Sequence, residues 1–371
     1  MKFIQAYTKG LKKAGIKVDG AAEPPRYWIP TGNYVLNKII SGDFLRGIPQ
    51  GRVCGLVGPS GSGKSFLLTN IMREAQAQGF WVLAIDSEKA LDKSFVAAIG
   101  VDPDSEKYIP IEVSTNTQVT NAVSAFVEEY KQEYGDDPEN APRVLIALDS
   151  IDMLLTETEW DNLKKGVIKG DQGQRNKQFK SMLRGFVHKI DGLNISIVVT
   201  DQVYANQDKY NGEGDWKIKD AIKYSLSEII LITKLKLRDD SSKESVGIRM
   251  RCEGVKTRFT LPFQTISIEV PYNTGMDPYN GLLDVAVGLG IIKKVTSLSY
   301  CFTSEPDNKW TKKKLDQHLD RILEECIKLT DSRLYIDESL EEDSGDDEES
   351  LRERRITKHL ESLAEAQKES D

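Results

Sequence analysis

The segment Gly58-Pro-Ser-Gly-Ser-Gly-Lys-Ser65 constrains this chain more than any other stretch. It fits the phosphate-binding pattern Gly-x4-Gly-Lys-Ser. The flanks fit as well. The apolar run Val53-Cys-Gly-Leu-Val57 precedes it, and Phe66-Leu-Leu-Thr-Asn-Ile71 follows with helical spacing. Strand, glycine-rich turn and helix in that order make a phosphate cradle. Gly58 and Gly63 let the backbone curl, with Pro59, Ser60, Gly61 and Ser62 as the turn, so that N–H groups face phosphate oxygens. The helix that opens at Lys64, Ser65 and Phe66 adds its positive end. Lys64 brings a mobile positive charge, and the Ser65 hydroxyl suits Mg2+, a hard cation that keeps several of its waters. A chain built around this segment binds a nucleoside triphosphate.

The remaining strands and helices alternate. Phe80–Ile85, Arg143–Leu148, Asn194–Thr200 and Glu228–Thr233 read as buried strands. Helices are expected up to about Gly79, up to about Gly100, over Val119–Tyr134 behind a Ser114-Thr115 cap, and over Phe179–Ile190. The alternation predicts an α/β fold: a mostly parallel twisted sheet flanked by helices. Val246–Cys252 and Gln264–Val270 follow with short connections and predict an antiparallel extension.

Composition then decides what surrounds this core. No apolar run approaches a membrane span, and the segment Met1–Lys9 is too polar for a signal peptide. The cysteines Cys54, Cys252, Cys301 and Cys326 are scattered without a Cys-x-x-Cys pair, which predicts a reduced, cytoplasmic protein without a zinc site. The net charge of −8 is unevenly placed: residues 331–371 hold 15 acidic and 6 basic side chains, leaving the rest near neutral. An acidic tail on a neutral body fits a nucleic-acid protein, and equally a solubilising tail. Residues 1–30 carry Phe3, Ile4, Tyr7 and Leu11 among lysines, then a proline-marked linker; an oligomerisation arm and a solvated helix are equal readings. The expected division is 1–30 arm and linker, 31–295 ATPase core, 296–335 a small helical region rich in lysine, and 336–371 an acidic, disordered tail.

Several side chains gather where such sheets bind ligands, beyond the carboxyl ends of the strands. Asp149 ends an apolar strand, where a carboxylate holds Mg2+ directly or through water. Glu88 follows the strand after the P-loop helix. It could orient an attacking water and accept its proton, or merely favour a helix N-terminus. Gln202 follows the strand Ile195–Thr200 and could sense a γ-phosphate. Two stretches, Glu159–Asn176 and Val203–Lys219, show no periodicity. They mix cations with rings, in Trp160, Lys164, Lys165, Lys169 and Arg175 of the first, and Tyr204, Lys209, Tyr210, Trp216, Lys217 and Lys219 of the second. Cations for phosphates and rings for bases suit single-stranded nucleic acid; plain loops are the other reading.

Taken together, the motifs Thr31-Gly32, Gly58–Ser65, Asp86-Ser-Glu-Lys-Ala-Leu-Asp92, Leu148-Asp-Ser150 and Thr200-Asp-Gln202 resemble those of the RecA-type recombinases. So do Val255-Lys-Thr-Arg-Phe-Thr-Leu-Pro-Phe263 and Gly275-Met-Asp-Pro-Tyr-Asn-Gly-Leu-Leu-Asp284. The likeness spans about residues 30–295 and is nearest to the phage recombinases of the UvsX type. It implies a RecA-like P-loop NTPase core that uses ATP and Mg2+. It implies Glu88 as the catalytic glutamate, Asp92 and Phe95 at the adenine, and Gln202 as the link between γ-phosphate and the second DNA loop. Lys256 and Arg258 would reach the ATP of a neighbouring subunit, with Tyr224 at that interface. The two aperiodic stretches would be paired DNA loops, though neither copies the bacterial loop residues. The expected activity is a DNA-dependent ATPase that forms helical filaments on single-stranded DNA and exchanges it with homologous double-stranded DNA. Expected helpers are a single-strand-binding protein and a loader, in a bacterial host cytoplasm if the chain is phage-encoded. A ring-forming helicase or motor and a non-catalytic ATP-switched mediator are the rivals.

Overall fold

The computed structural model describes residues 2–14, 24–135, 137, 139–167, 173–206, 216–239 and 244–338. Its centre is an eight-stranded sheet. The strand order is Thr265–Pro271, Ser245–Lys256, Glu228–Arg238, Val53–Gly58, Ile195–Gln202, Val144–Asp149, Trp81–Asp86 and Tyr108–Glu112. The strands from Glu228–Arg238 to Tyr108–Glu112 run parallel to one another. Ser245–Lys256 and Thr265–Pro271 extend the sheet antiparallel, as their short connections require.

Alternating side chains leave the sheet on opposite faces, and both faces are covered. Cys54, Leu56, Leu145 and Ala147 join one core with Leu67, Leu68 and Ile71 of the P-loop helix Lys64–Ala77. Val53, Val57, Val144, Ile146 and Leu148 join the other with Val119 and Val123 of the helix Asn116–Tyr134 and with Leu183 and Phe186 of the helix Gln174–Lys189. Thr115 caps the first of these through a reciprocal bond with Gln118, so the helix opens three residues earlier than the expected Val119.

Tyr108–Glu112 carries no strand signal that the sequence reading used, because Pro110 interrupts it. Pro110 is tolerated because this is the edge strand, where a missing N–H leaves no inner ladder bond unmade. Most of the described residues in the stretch beginning at Glu159, read as aperiodic, lie in helices. Thr156 caps the helix Glu157–Lys164 with Glu159 as its reciprocal partner, and Gln174–Asn176 open the next helix. Within the second stretch, Tyr204–Ala205 pairs antiparallel with Trp216–Lys217.

The region 296–335 is not simply helical. Ile292–Lys294, Ser299–Phe302 and Trp310–Thr311 form a three-stranded sheet before the helix Leu319–Glu338. Trp310 stacks on Tyr300 at 5.3 Å and on His318 at 4.6 Å between centroids, with Phe302 tilted against it at 6.4 Å, which gives this module an apolar filling. The N-terminal stretch is helical over Lys2–Lys13, with Phe3, Ile4 and Tyr7 exposed. The expected disordered tail begins at 336, but 336–338 close the helix Leu319–Glu338, and the rest of it, from 339 onward, lies outside the described residues. Among the described residues no helix is long and apolar enough to cross a membrane.

Candidate nucleotide and nucleic-acid site

The P-loop leaves the central strand at Gly58, and its glycines answer to space as much as to curl. A Cβ on Gly58 would sit 2.1 Å from the Ile232 carbonyl oxygen. Gly63 has φ 101°, and a Cβ there would lie 2.5 Å from Met250 Sδ. The neighbouring strands therefore press on the loop from outside and leave only backbone room. Lys64 is buried, and its ammonium donates to the carbonyls of Gly58 and Pro59, each at 3.0 Å. Burial lowers its pKa, while the charges of Asp149, Glu88, Asp201 and Asp152 oppose that shift. A phosphate entering the loop would compete with those two carbonyls for the ammonium.

Asp149 is 1% exposed. One carboxylate oxygen accepts from the Thr200 hydroxyl; the other, Oδ2, is buried without a hydrogen-bond partner. Burial pushes this carboxyl above its ordinary pKa, and the neighbouring hydroxyls of Ser65 and Thr200 pull it back. An orphaned carboxylate oxygen beside the Ser65 hydroxyl is a donor set that fits Mg2+.

Glu88 lies in the connection after Trp81–Asp86, outside any helix. The next helix, Lys93–Ile99, begins at Asp92, so the dipole reading of Glu88 has no helix to serve. Its carboxylate accepts from the Ser150 hydroxyl. Ser150 in turn donates its N–H to Ser87 Oγ at 2.9 Å, and Ser87 Oγ donates to Ser150 O at 2.7 Å. Asp86 holds the turn by accepting from the amides of Glu88 and Leu91, both at 2.9 Å. The ends of two adjacent strands thus hold Glu88 beside Asp149. The sequence motifs contain Asp86, Ser87 and Thr200 but assign them no role; those of Ser87 and Thr200 lie in bonds to Ser150 and Asp149, far along the chain.

Asp92 serves as a helix cap, accepting from the amides of Ser94 at 2.9 Å and Phe95 at 3.0 Å. The Ser94 hydroxyl bond is the main reason its pKa falls. Phe95 is half-buried against the core. Gln202 is level with Gly58 in the neighbouring strand, and the amide of Val203 reaches Gly58 O at 3.4 Å. A strand-end glutamine beside the first P-loop glycine is well placed to register what the loop holds.

Lys256, Arg258 and Tyr224 lie at the other end of the sheet. Lys256 is level with Ile229, itself level with Gly55, and its ammonium donates to Lys223 O at 3.0 Å. The Arg258 amide donates to both oxygens of Glu228 at 3.1 Å, and Glu228 is level with Cys54. Tyr224 is 65% exposed, and Lys180 lies over its ring. The structure brings these three together, away from the P-loop of their own chain. Glu228, which the sequence places only at the start of a strand, is buried at 1% exposure, and desolvation pushes its carboxyl up to about 8.

The candidate DNA residues divide. Trp160, Lys164 and Lys165 lie on or just after the helix Glu157–Lys164, with Lys164 over the Trp160 ring at 5.3 Å. Tyr204 is 55% exposed, and Trp216 and Lys217 stand on its pairing partner. Arg175 and Lys219 are engaged internally. Arg175 donates to the Asp152 carbonyl and lies 3.7 Å from Glu159. Lys219 is paired with both Asp152 and Asp201. Lys169, Lys209 and Tyr210 lie outside the described residues.

The family model of the RecA N-terminal domain matches residues 11–277. A RecA protein of Ruminococcus albus is 28% identical over 273 residues, covering 72% of this chain and 62% of its own length. A RecA protein of Acholeplasma laidlawii is 26% identical over 270 residues, covering 72% and 75%. That of Thermus aquaticus is 25% identical over 281 residues, covering 72% and 74%.

Proposed function

The chain belongs to the RecA family, and from that premise we propose that it is an ATP-dependent recombinase of DNA recombination and repair. It assembles as a helical filament on single-stranded DNA and pairs that strand with homologous duplex. The observation that carries this reading is the separation of two half-sites. The P-loop, Asp149, Glu88 and Gln202 occupy one edge of the sheet, and Lys256, Arg258 and Tyr224 the other. Edges that complement each other on successive copies make a head-to-tail contact, and such contacts build open helices unless the rotation closes a ring.

In this reading the loop amides and Lys64 hold the phosphates of ATP. Ser65 and Asp149 hold Mg2+, which neutralises phosphate charge when bound. Glu88, oriented by Ser150, takes the proton of the attacking water. Lys256 and Arg258 of the adjacent copy stabilise the charge that builds on the transferred phosphoryl group. Gln202 passes the state of the γ-phosphate to the loop that follows it. Trp160, Lys164, Lys165, Tyr204, Trp216 and Lys217 remain the candidates for the unpaired strand, whose bases stack and whose phosphates need cations. Kinship with the UvsX-type phage recombinases, a cytoplasmic place of work, and help from a single-strand-binding protein and a loader belong to the same proposal.

The test joins an ATPase assay, with and without single-stranded DNA, to a D-loop assay and electron microscopy. DNA-stimulated hydrolysis, D-loops and open filaments are expected. Closed rings that form no D-loops would indicate a motor or helicase instead. Absence of DNA-stimulated hydrolysis would indicate an ATP-switched mediator.

A further inference from the structure

Asp152 lies three residues beyond Asp149 and touches both candidate DNA segments. Its backbone carbonyl accepts from Arg175 of the first. Its side chain accepts from Tyr204, at 3.3 Å, and from Lys219, which stand at the two ends of the second. The same Lys219 ammonium donates to Asp201 at 2.8 Å, and Asp201 is the residue before Gln202. One ammonium therefore joins the end of the metal-bearing strand, the end of the Gln202 strand and the base of the second segment.

The group is well shielded from water. Side-chain exposure is 18% for Lys219, 19% for Asp152 and 1% for Asp201. Asp201 Oδ2 has no hydrogen-bond partner. Two carboxylates share one cation, so a shift of either strand end would change how Lys219 is held. For Lys219 to reach a DNA phosphate it would have to abandon Asp201, leaving a carboxylate uncompensated in the interior.

We propose that Asp152, Lys219 and Asp201 form a charge clamp, and that Lys219 and Asp152 are positioning residues that couple the nucleotide site to DNA binding. The sequence expectation that Lys219 touches DNA is thereby reassigned. The clamp rests on the recombinase reading above, and it adds a route between the two sites that does not pass through Gln202 alone.

The experiment measures ATP turnover with and without single-stranded DNA for the wild type, Lys219→Met, Asp152→Ala and Lys219→Arg. It adds DNA affinity over a salt series and a thermal melt of each variant. The clamp predicts that Lys219→Met and Asp152→Ala each lower the DNA-stimulated to DNA-free ratio of kcat, by about tenfold. Lys219→Arg, which keeps the charge, should restore most of the ratio. The salt dependence of DNA binding should keep its slope in all variants. A phosphate contact predicts otherwise: Lys219→Met would reduce that slope by about 0.7, the share of one cation on a single strand, and Asp152→Ala would strengthen binding by freeing the lysine. That outcome overturns the clamp. If Lys219→Met melts too low to assay, Asp152→Ala, which retains the Lys219–Asp201 pair, decides alone. A wild type without DNA stimulation would instead sink the recombinase reading, and the coupling with it.

Discussion

Replacing both Lys256 and Arg258 by alanine should stop DNA-stimulated ATP hydrolysis, and a second, P-loop-defective chain should restore part of it. The Arg258 amide is bonded to Glu228, level with Cys54, and Gly58 lies four residues further along the strand. At about 3.3 Å per residue this is a separation of about 13 Å along the sheet, before the outward direction of the side chain is counted. Neither cation can then serve the ATP of its own chain. A cation supplied in trans to phosphoryl transfer is worth about 10³–10⁵ in rate, or about 4 to 7 kcal/mol of barrier. Mixing the double variant with Lys64→Ala at equal concentration supplies intact P-loops on one chain and intact cations on the other. With random neighbours, about one quarter of head-to-tail contacts join a working P-loop to working cations, so about a quarter of wild-type turnover should return. The assay is steady-state phosphate release on a long single strand, titrated with one variant against the other. Both parents silent and every mixture silent would refute the placement in trans. Full activity of the Lys256→Ala, Arg258→Ala chain by itself would refute any role for the pair.

Glu88→Gln keeps the size and the bond to Ser150 but cannot take a proton. Hydrolysis should fall by about 10²–10⁴-fold while ATP-dependent DNA binding persists; a variant that loses both together would assign Glu88 to binding. Glu228 holds its proton up to about 8, against an ordinary value of 4.5, so its contribution to stability is full at low pH and is lost as pH rises through that window. Glu228→Gln, neutral throughout, should therefore gain in melting temperature relative to the wild type between about pH 5 and 8; a gap that stays flat would show that burial does not govern this carboxyl. If the acidic residues after Tyr335 compete with DNA for the same lysines, removing them should tighten DNA binding most at low salt. The difference should vanish near 1 M salt, where charges are screened beyond about 3 Å; equal affinity of the two forms across the whole series would dismiss the competition.

The sequence by itself settled the parts whose physics is local. Gly58–Ser65 between a strand and a helix specifies a phosphate cradle, because the loop's amides and Lys64 come from adjacent residues. The apolar runs that lead to Asp86, Asp149 and Thr200 specified strands buried on both faces, and so a parallel sheet with its chemistry at the carboxyl edge. Tertiary structure decided what depends on register and on distant partners. Pro110 hid an edge strand whose neighbour, Trp81–Asp86, lies more than twenty residues earlier. Local composition made Arg175 and Lys219 look like free cations, and only folding brought Glu159, Asp152 and Asp201 to them. The motif holding Lys256 and Arg258 was visible, but its position at the edge remote from Gly58 follows from strand pairing. A charge pattern records which groups are present; only the packed chain fixes which of them have already found one another.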